Sequence, residues 1–282
     1  VRPFKKITNA NLLGNTSGIS SCTDLKESPV WSASLHNAQN EVALVKGKPL
    51  EVAQGSQFKY SNTNFEILGL IIEKANGKQY GDLLRERIFE AEGMKDSGLD
   101  SVDLALATQA EGYMPGPKGI IVACSESMSV PWAAGSYTTT GGLLKWEKAL
   151  FGGKVLSAEL LKTMTTPGLG SYGTGVMILD QGRVKAVEHG GGIEGFNANL
   201  RHARDQHITV VVISNVNGMV VGQLGAQLLD VVRGRRVKLA NQRMDQILPK
   251  EELKKFFGVS NLAPTFSLTV AEANDSLTVQ GI

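Results

Sequence analysis

The sequence predicts an α/β (α+β) protein: a three-layer α/β/α sandwich on an antiparallel sheet, with a helical region beside it and a small C-terminal β domain beginning after it. Three observations carry this. Apolar residues recur at three- and four-residue steps between residues 63 and 91, two consecutive hairpin patterns fill residues 172–214, and an apolar-rich run of helical length occupies residues 219–232. Helices packed on both faces of a hairpin-built sheet make a layered sandwich.

Residues 1–60 are rich in Gly, Ser, Asn and Pro and read mostly as loop, with one short helix over residues 7–14 capped by Thr8 or Asn9 and stopped at Gly14. Phe65, Leu68, Ile72 and Ala75 then mark one helix face, and Asn76-Gly77 ends that helix. A second helix is expected over residues 80–91, with Leu83, Leu84, Ile88 and Phe89 on one side. Pro115, Pro117 and Pro131 break up residues 98–135. Helices are expected again over residues 142–150 and from the cap Ser157 onwards.

Past Pro167 the pattern turns to strands. Residues 172–179 and 183–188 form one hairpin, and residues 196–202 and 207–214 form another. The run of residues 208–213 is β-branched almost throughout, which predicts a central strand buried on both faces. Residues 248–258 read as linker and short helix, followed by a hairpin of residues 266–270 and 276–280. The expected division is residues 1–240 for the main domain and 241–282 for the linker and the opening of a C-terminal β domain.

Charge narrows the function classes. With 29 Lys+Arg against 27 Asp+Glu the net charge is +2, and no dense basic run with interleaved aromatics offers a surface for nucleic acid. Arg233, Arg235 and Arg236 follow the last long helical run, where cations favour a helix C-terminus. The apolar runs at residues 67–72 and 208–213 fall short of the ~20 residues needed to span a bilayer. Cys22 and Cys124 are too few for a disulfide framework, and whether they pair is left open. His36, His189, His202 and His207 show no metal-ligand spacing.

Two short segments point to chemistry. Tyr60-Ser61-Asn62 stands just ahead of a helix, whose positive end favours a phenolate or a strong phenol donor at Tyr60. Asn62 carries a carboxamide that both donates and accepts. Far downstream, His189 is expected to end a strand before Gly190, Gly191 and Gly192, a glycine edge against which a substrate can lie. Taken singly, Tyr60 reads as a packing residue, Asn62 as a helix cap and the glycine run as a turn. Trp31, Trp132 and Trp146 read equally as cleft or core residues.

Residues 9–19 (NANLLGNTSGI), 55–69 (GSQFKYSNTNFEILG), 133–146 (AAGSYTTTGGLLKW) and 189–197 (HGGGIEGFN) together resemble successive blocks of the serine β-lactamase and penicillin-binding protein superfamily. The branch resembled is that of class C β-lactamases, D-alanyl-D-alanine carboxypeptidases and family VIII esterases. The resemblance implies a β-lactamase/transpeptidase-like fold and a serine hydrolase that opens a lactam, a D-amino-acid peptide or an ester through an acyl-serine. It implies Tyr60 as general base, Asn62 as a group orienting the substrate amide and a lysine, and His189 in the place of the lysine of a Lys-Thr-Gly element. Gly190, Gly191 and Gly192 would border the oxyanion hole, the Gly192 N–H being its second donor. No metal or organic cofactor is implied, the substrate would be a small molecule or peptidoglycan-like, and periplasmic or secreted placement is suggested.

One element is missing from its expected place. The nucleophile of this superfamily lies in Ser-x-x-Lys at a helix start upstream of the block at residues 9–19, and the only literal match here is Ser56-Gln57-Phe58-Lys59. That match abuts Tyr60, so no helix places Ser56 across a cleft from it. The expectation is that the nucleophile segment precedes Val1 and that these residues alone are inactive. The alternative is a non-catalytic binding or regulatory member of the same fold.

Overall fold

The computed structural model describes residues 6–25, 38–99, 109–116, 119–123, 135–181, 184–218, 220–238, 249–263, 266–273 and 276–281. The chain divides into two compact units, Val1–Arg235 and Arg236–Ile282. Trp31, His36, Cys124 and Trp132 lie outside the described residues.

The first unit opens on α1 (Asn9–Leu13), where the Thr8 hydroxyl accepts from the Asn11 N–H and the Asn11 carboxamide accepts from the Thr8 N–H. Next come α2 (Ala38–Val45) and α3 (Asn62–Asn76), and α3 ends at Gly77 in the left-handed region. Leu12, Ile19 and Val45 make the buried cluster of this helical region, and Ile67 and Leu68 of α3 pack against it. The segment expected as one helix to residue 91 is instead α4 (Tyr80–Leu84) running into a π-helical turn, Arg85–Glu90. No residue of that turn is buried, so packing does not hold it in the tighter α register.

Two small pairings follow, β1 (Gly98–Leu99) with β4 (Ser136–Tyr137) and β2 (Tyr113–Gly116) with β3 (Gly119–Val122). Helix α5 (Thr140–Phe151) is capped by the Thr139 hydroxyl, which accepts from the Gly142 N–H at 3.0 Å. Helix α6 (Ala158–Met164) is capped by Ser157, as its position in the sequence indicates.

The main sheet is antiparallel with the order β5-β6-β7-β8: β5 (Met177–Gln181), β6 (Val184–Ile193), β7 (Phe196–Ala203) and β8 (Ile208–Ser214). Adjacent residues of β7 show how the layers form, because successive side chains point to opposite faces. His202 stacks on Phe151 of α5, with ring centroids 3.8 Å apart. Its neighbour Ala203 packs with Val210, Val212 and Leu229. Leu229 belongs to α7 (Val220–Val232), so α5 and α7 cover opposite faces of the sheet. The close approach of α7 depends on Gly225, where a Cβ would come within 2.5 Å of Asn199 Oδ1.

Two strand expectations are corrected. Strand β8 lies at an edge of the described sheet rather than at its centre, with Ile213 43% exposed. Of its β-branched run only Val210 and Val212, against α7, are buried; Thr209 and Val211 on the side of α5 are half-buried. Strand β6 does not stop at His189; it continues through Gly190, Gly191 and Gly192 to Ile193, paired with β7 throughout. The partner residues on β7 supply the order that the glycines lack.

The second unit contains α8 (Lys250–Leu253) and a three-stranded antiparallel sheet ordered β11-β10-β9. Strands β10 (Phe266–Ala273) and β11 (Ser276–Gly281) are the hairpin expected from the sequence. Strand β9 (Gly258–Ala263) was hidden behind the apparent linker. Among the described residues no helix is long and apolar enough to cross a membrane.

Candidate active site

A buried polar network brings the two halves of the helical region into register. Asn15 is fully buried in the left-handed region, which asparagine tolerates better than most residues. Its Oδ1 accepts from the Ser61 N–H at 3.0 Å and from Asn64 Nδ2 at 2.9 Å, while its carbonyl accepts from the Lys59 N–H at 2.8 Å. Ser17 Oγ donates to Asn64 Oδ1 at 2.6 Å. Thr63 adds a further tie, donating to the Ser20 carbonyl and accepting from the Cys22 N–H, both at 2.8 Å. These bonds fix the backbone on either side of Tyr60.

Tyr60 keeps 40% of its surface exposed, and its ring centroid lies 6.3 Å from that of His189. Partial burial pushes its phenol above the ordinary range. Asn62 opens α3; its backbone N–H donates to Ser21 Oγ at 3.2 Å and its Nδ2 to Thr23 Oγ1 at 3.1 Å. Its carboxamide is thus held by the loop that follows the block at residues 9–19.

His189 sits where β6 outruns its neighbour. Pairing with β5 ends at Glu188 and Met177, while pairing with β7 continues to Ile193 and Phe196. The stretch from His189 to Ile193 therefore has a strand on one side and, among the described residues, a free edge on the other. Gly190, Gly191 and Gly192 are exposed along it. A Cβ at Gly191 would meet nothing within 4 Å, so the open space begins at that glycine.

Tyr172 was not singled out from the sequence, yet its ring packs against both Tyr60 and His189. It is 2% exposed, and its Oη lies 3.2 Å from His189 Nε2. The other ring nitrogen, Nδ1, is 2.7 Å from the Gly190 carbonyl oxygen. The Phe58 and Tyr60 rings pack on Tyr172 at centroid distances of 5.1 and 6.3 Å. Burial, and then the neighbouring Tyr60, raise the Tyr172 phenol strongly, while the Asn15 carboxamide opposes that shift. Burial lowers the His189 imidazole. A tyrosine followed by Gly173-Thr174-Gly175 at a strand entrance is the only sequence signal for this residue.

Ser56 lies in a turn with its Oγ donating to the Ala53 carbonyl at 2.6 Å, and Lys59 pairs with Glu51 at 3.0 Å. Among the described residues no group of three or more His, Cys, Asp and Glu side chains is arranged to hold a metal ion. Cys22 is a buried thiol, pushed up to about 12 chiefly by desolvation.

Comparison with known proteins bears on this arrangement. The chain is 27% identical over 206 residues to a D-aminopeptidase of Brucella anthropi, a match covering 70% of this chain and 39% of that protein. The chain therefore spans well under half the length of this relative. Among solved structures, a D-amino acid amidase from Ochrobactrum anthropi SV3 superposes with a TM-score of 0.69 at 23% identity, covering 81% of this chain and 72% of that one. An octameric penicillin-binding protein homologue from Pyrococcus abyssi gives a TM-score of 0.72 at 21% identity, covering 99% of this chain and 70% of that one. These structural likenesses establish a shared fold of mixed helices and antiparallel sheets. The family model described as Beta-lactamase matches residues 2–233, a span that contains the Tyr60, Tyr172 and His189 cluster and the glycine edge, and the chain belongs to that family.

Proposed function

We propose that the whole protein is a serine acyl-transfer hydrolase acting on an amide of a D-amino acid, or on a related ester or lactam. The observation that carries this reading is the convergence of Tyr60 and His189 beside the free glycine edge of β6. An acyl donor laid along that edge would pair its backbone with the strand, and its carbonyl oxygen would meet exposed N–H groups near Gly191 and Gly192. Asn62 would orient the substrate amide, and Tyr60 would take the proton of the attacking serine.

Burial holds Tyr60 as a neutral phenol, which is a poor base. It would become competent only when the lysine of the nucleophile segment is seated against it, because a nearby cation favours the phenolate. The single Ser-x-x-Lys within these 282 residues is occupied elsewhere, Ser56 by a turn carbonyl and Lys59 by Glu51. That observation favours inactivity of the 282 residues alone. It also supports a second reading, a non-catalytic binding member of the family.

A panel of D-amino-acid amides, short-chain esters and a fluorescent penicillin, applied to the whole protein and to the 282-residue chain, separates these readings. Turnover or a stoichiometric adduct with the whole protein only is the expected result. An adduct on the short chain would make Ser56 the nucleophile to test. No reaction with the whole protein would leave the binding role.

A further inference from the structure

The two ring nitrogens of His189 are both engaged within the protein, and their partners fix which one carries the proton. The Gly190 carbonyl oxygen, 2.7 Å from Nδ1, accepts hydrogen bonds and cannot donate, so Nδ1 bears the hydrogen. In a neutral imidazole Nε2 is then an acceptor only, and its partner at 3.2 Å, the Tyr172 hydroxyl, must donate. We propose that Tyr172 is a positioning residue, whose hydroxyl donates to Nε2 of this Nδ1–H tautomer, holds the imidazole neutral and clamps it at the head of the glycine edge.

Tyr172 is built for this role. It is 2% exposed, wedged against the Phe58 ring, and held between the turn Leu169–Ser171 and β5, so its hydroxyl has little freedom to swing away. Among the described residues, the titratable and charged groups near His189 from the packed elements are Tyr60, Tyr172 and Glu188. Tyr60 comes from the loop before α3 and Tyr172 from the loop before β5. Glu188, its neighbour on β6, is bound to Arg201 of β7 at 2.6 Å and points to the opposite face of the sheet.

This proposal rests on the acyl-transfer reading and narrows it. A clamped neutral imidazole is neither a free base nor an anion-binding cation, so proton transfer falls to Tyr60. A substrate group lying next to His189 meets no positive charge from it. Acyl donors that are uncharged at that point, such as amides and esters without a neighbouring carboxylate, are therefore favoured over those carrying one.

The test is long-range nitrogen–proton NMR on the full-length protein with labelled histidines, the His189 signals being assigned by their loss in His189→Gln. The expected result is the Nδ1–H tautomer, neutral across the neutral pH range. Tyr172→Phe should keep the Nδ1–H tautomer, which Gly190 fixes, and raise the His189 pKa by roughly one unit, because a hydrogen bond to the neutral form has been removed. An Nε2–H tautomer or an imidazolium at neutral pH in the wild type would overturn the proposal, as would an unchanged pKa in a folded Tyr172→Phe. Should that variant not fold, the wild-type Nε2 resonance decides: a hydrogen bond donated by Tyr172 moves it away from the position of a free acceptor nitrogen, and a free-acceptor position would overturn the proposal. Turnover is read separately: an inactive protein whose His189 pKa rises in Tyr172→Phe upholds the clamp and removes the acyl-transfer reading, whereas an active one with an unchanged pKa does the reverse.

Discussion

The rings of Tyr60 and His189 lie with centroids 6.3 Å apart, one carried by the loop ahead of α3 and the other by the overrunning part of β6. Nothing local brings them together. Their approach is set by Tyr172, which packs on both, and by the network of Asn15 and Asn64, which fixes the backbone leading to Tyr60. The site is thus a product of tertiary packing between the helical region and the sheet.

Removing the centre of that network should unfold the site before it touches the chemistry. Asn64→Ala deletes the acceptor of the Ser17 hydroxyl and one of the two donors to Asn15 Oδ1 in a fully buried region, leaving the Ser17 O–H unpaired. Each buried group left unpaired costs about 1–3 kcal/mol. Urea unfolding should show a loss of that size or greater, and a stability equal to wild type would show that water replaces the lost bonds.

The glycine edge predicts a separation of stability from turnover. Gly191→Val places its side chain in open space on an extended strand, so the melting temperature should barely change. The branched side chain would hold an acyl donor off the edge and reduce kcat/KM of the whole protein by about 10²-fold. Gly18→Ala should behave in the opposite way: Gly18 has φ +79° and its Cβ would run into the Val52 carbonyl, so stability is lost directly. Equal turnover in Gly191→Val and wild type would place the substrate elsewhere.

A second buried pair, away from the cleft, predicts a pH dependence of stability. Glu147 of α5 lies with Oε2 3.5 Å from His202 Nδ1 of β7, both side chains nearly excluded from water. Burial raises Glu147 to about 7 from 4.5 and lowers His202 to about 4 from 6.5. The raised carboxyl contributes stability below pH 4.5 that is lost as pH rises through about 7. The lowered imidazole contributes stability above pH 6.5 that is lost as pH falls through about 4. The two slopes oppose each other between pH 4.5 and 6.5, leaving Glu147 alone above that window. Glu147→Gln should therefore gain roughly 1–3 kcal/mol relative to wild type on moving from pH 5 to pH 8. Denaturant titrations at the two pH values giving the same difference would contradict this assignment.

Much of the fold is legible in the sequence for local reasons. Thr8, Thr139 and Ser157 cap the helices they precede, and Gly77 ends α3 with the left-handed backbone that glycine permits. What escapes is set at long range. The glycines after His189 look like a turn because glycine weakens strands, and only pairing with Asn197, Ala198 and Asn199 keeps them extended. The position of β8 in the sheet depends on neighbours that a β-branched run does not specify. Tyr60 and His189 stand out through residue type and context. Tyr172 does not, since its role comes from a contact with a nitrogen on another strand.

The most direct test of the account is steady-state turnover of a D-amino-acid amide or ester by the whole protein carrying Tyr60→Phe. The substitution removes one hydroxyl from a part-exposed ring and should leave the melting temperature close to wild type. If Tyr60 is the general base, kcat falls by about 10²–10⁴-fold. Turnover within a factor of about two of wild type, in a folded variant, would remove Tyr60 from the mechanism and with it the reading of this cleft as an acyl-transfer site.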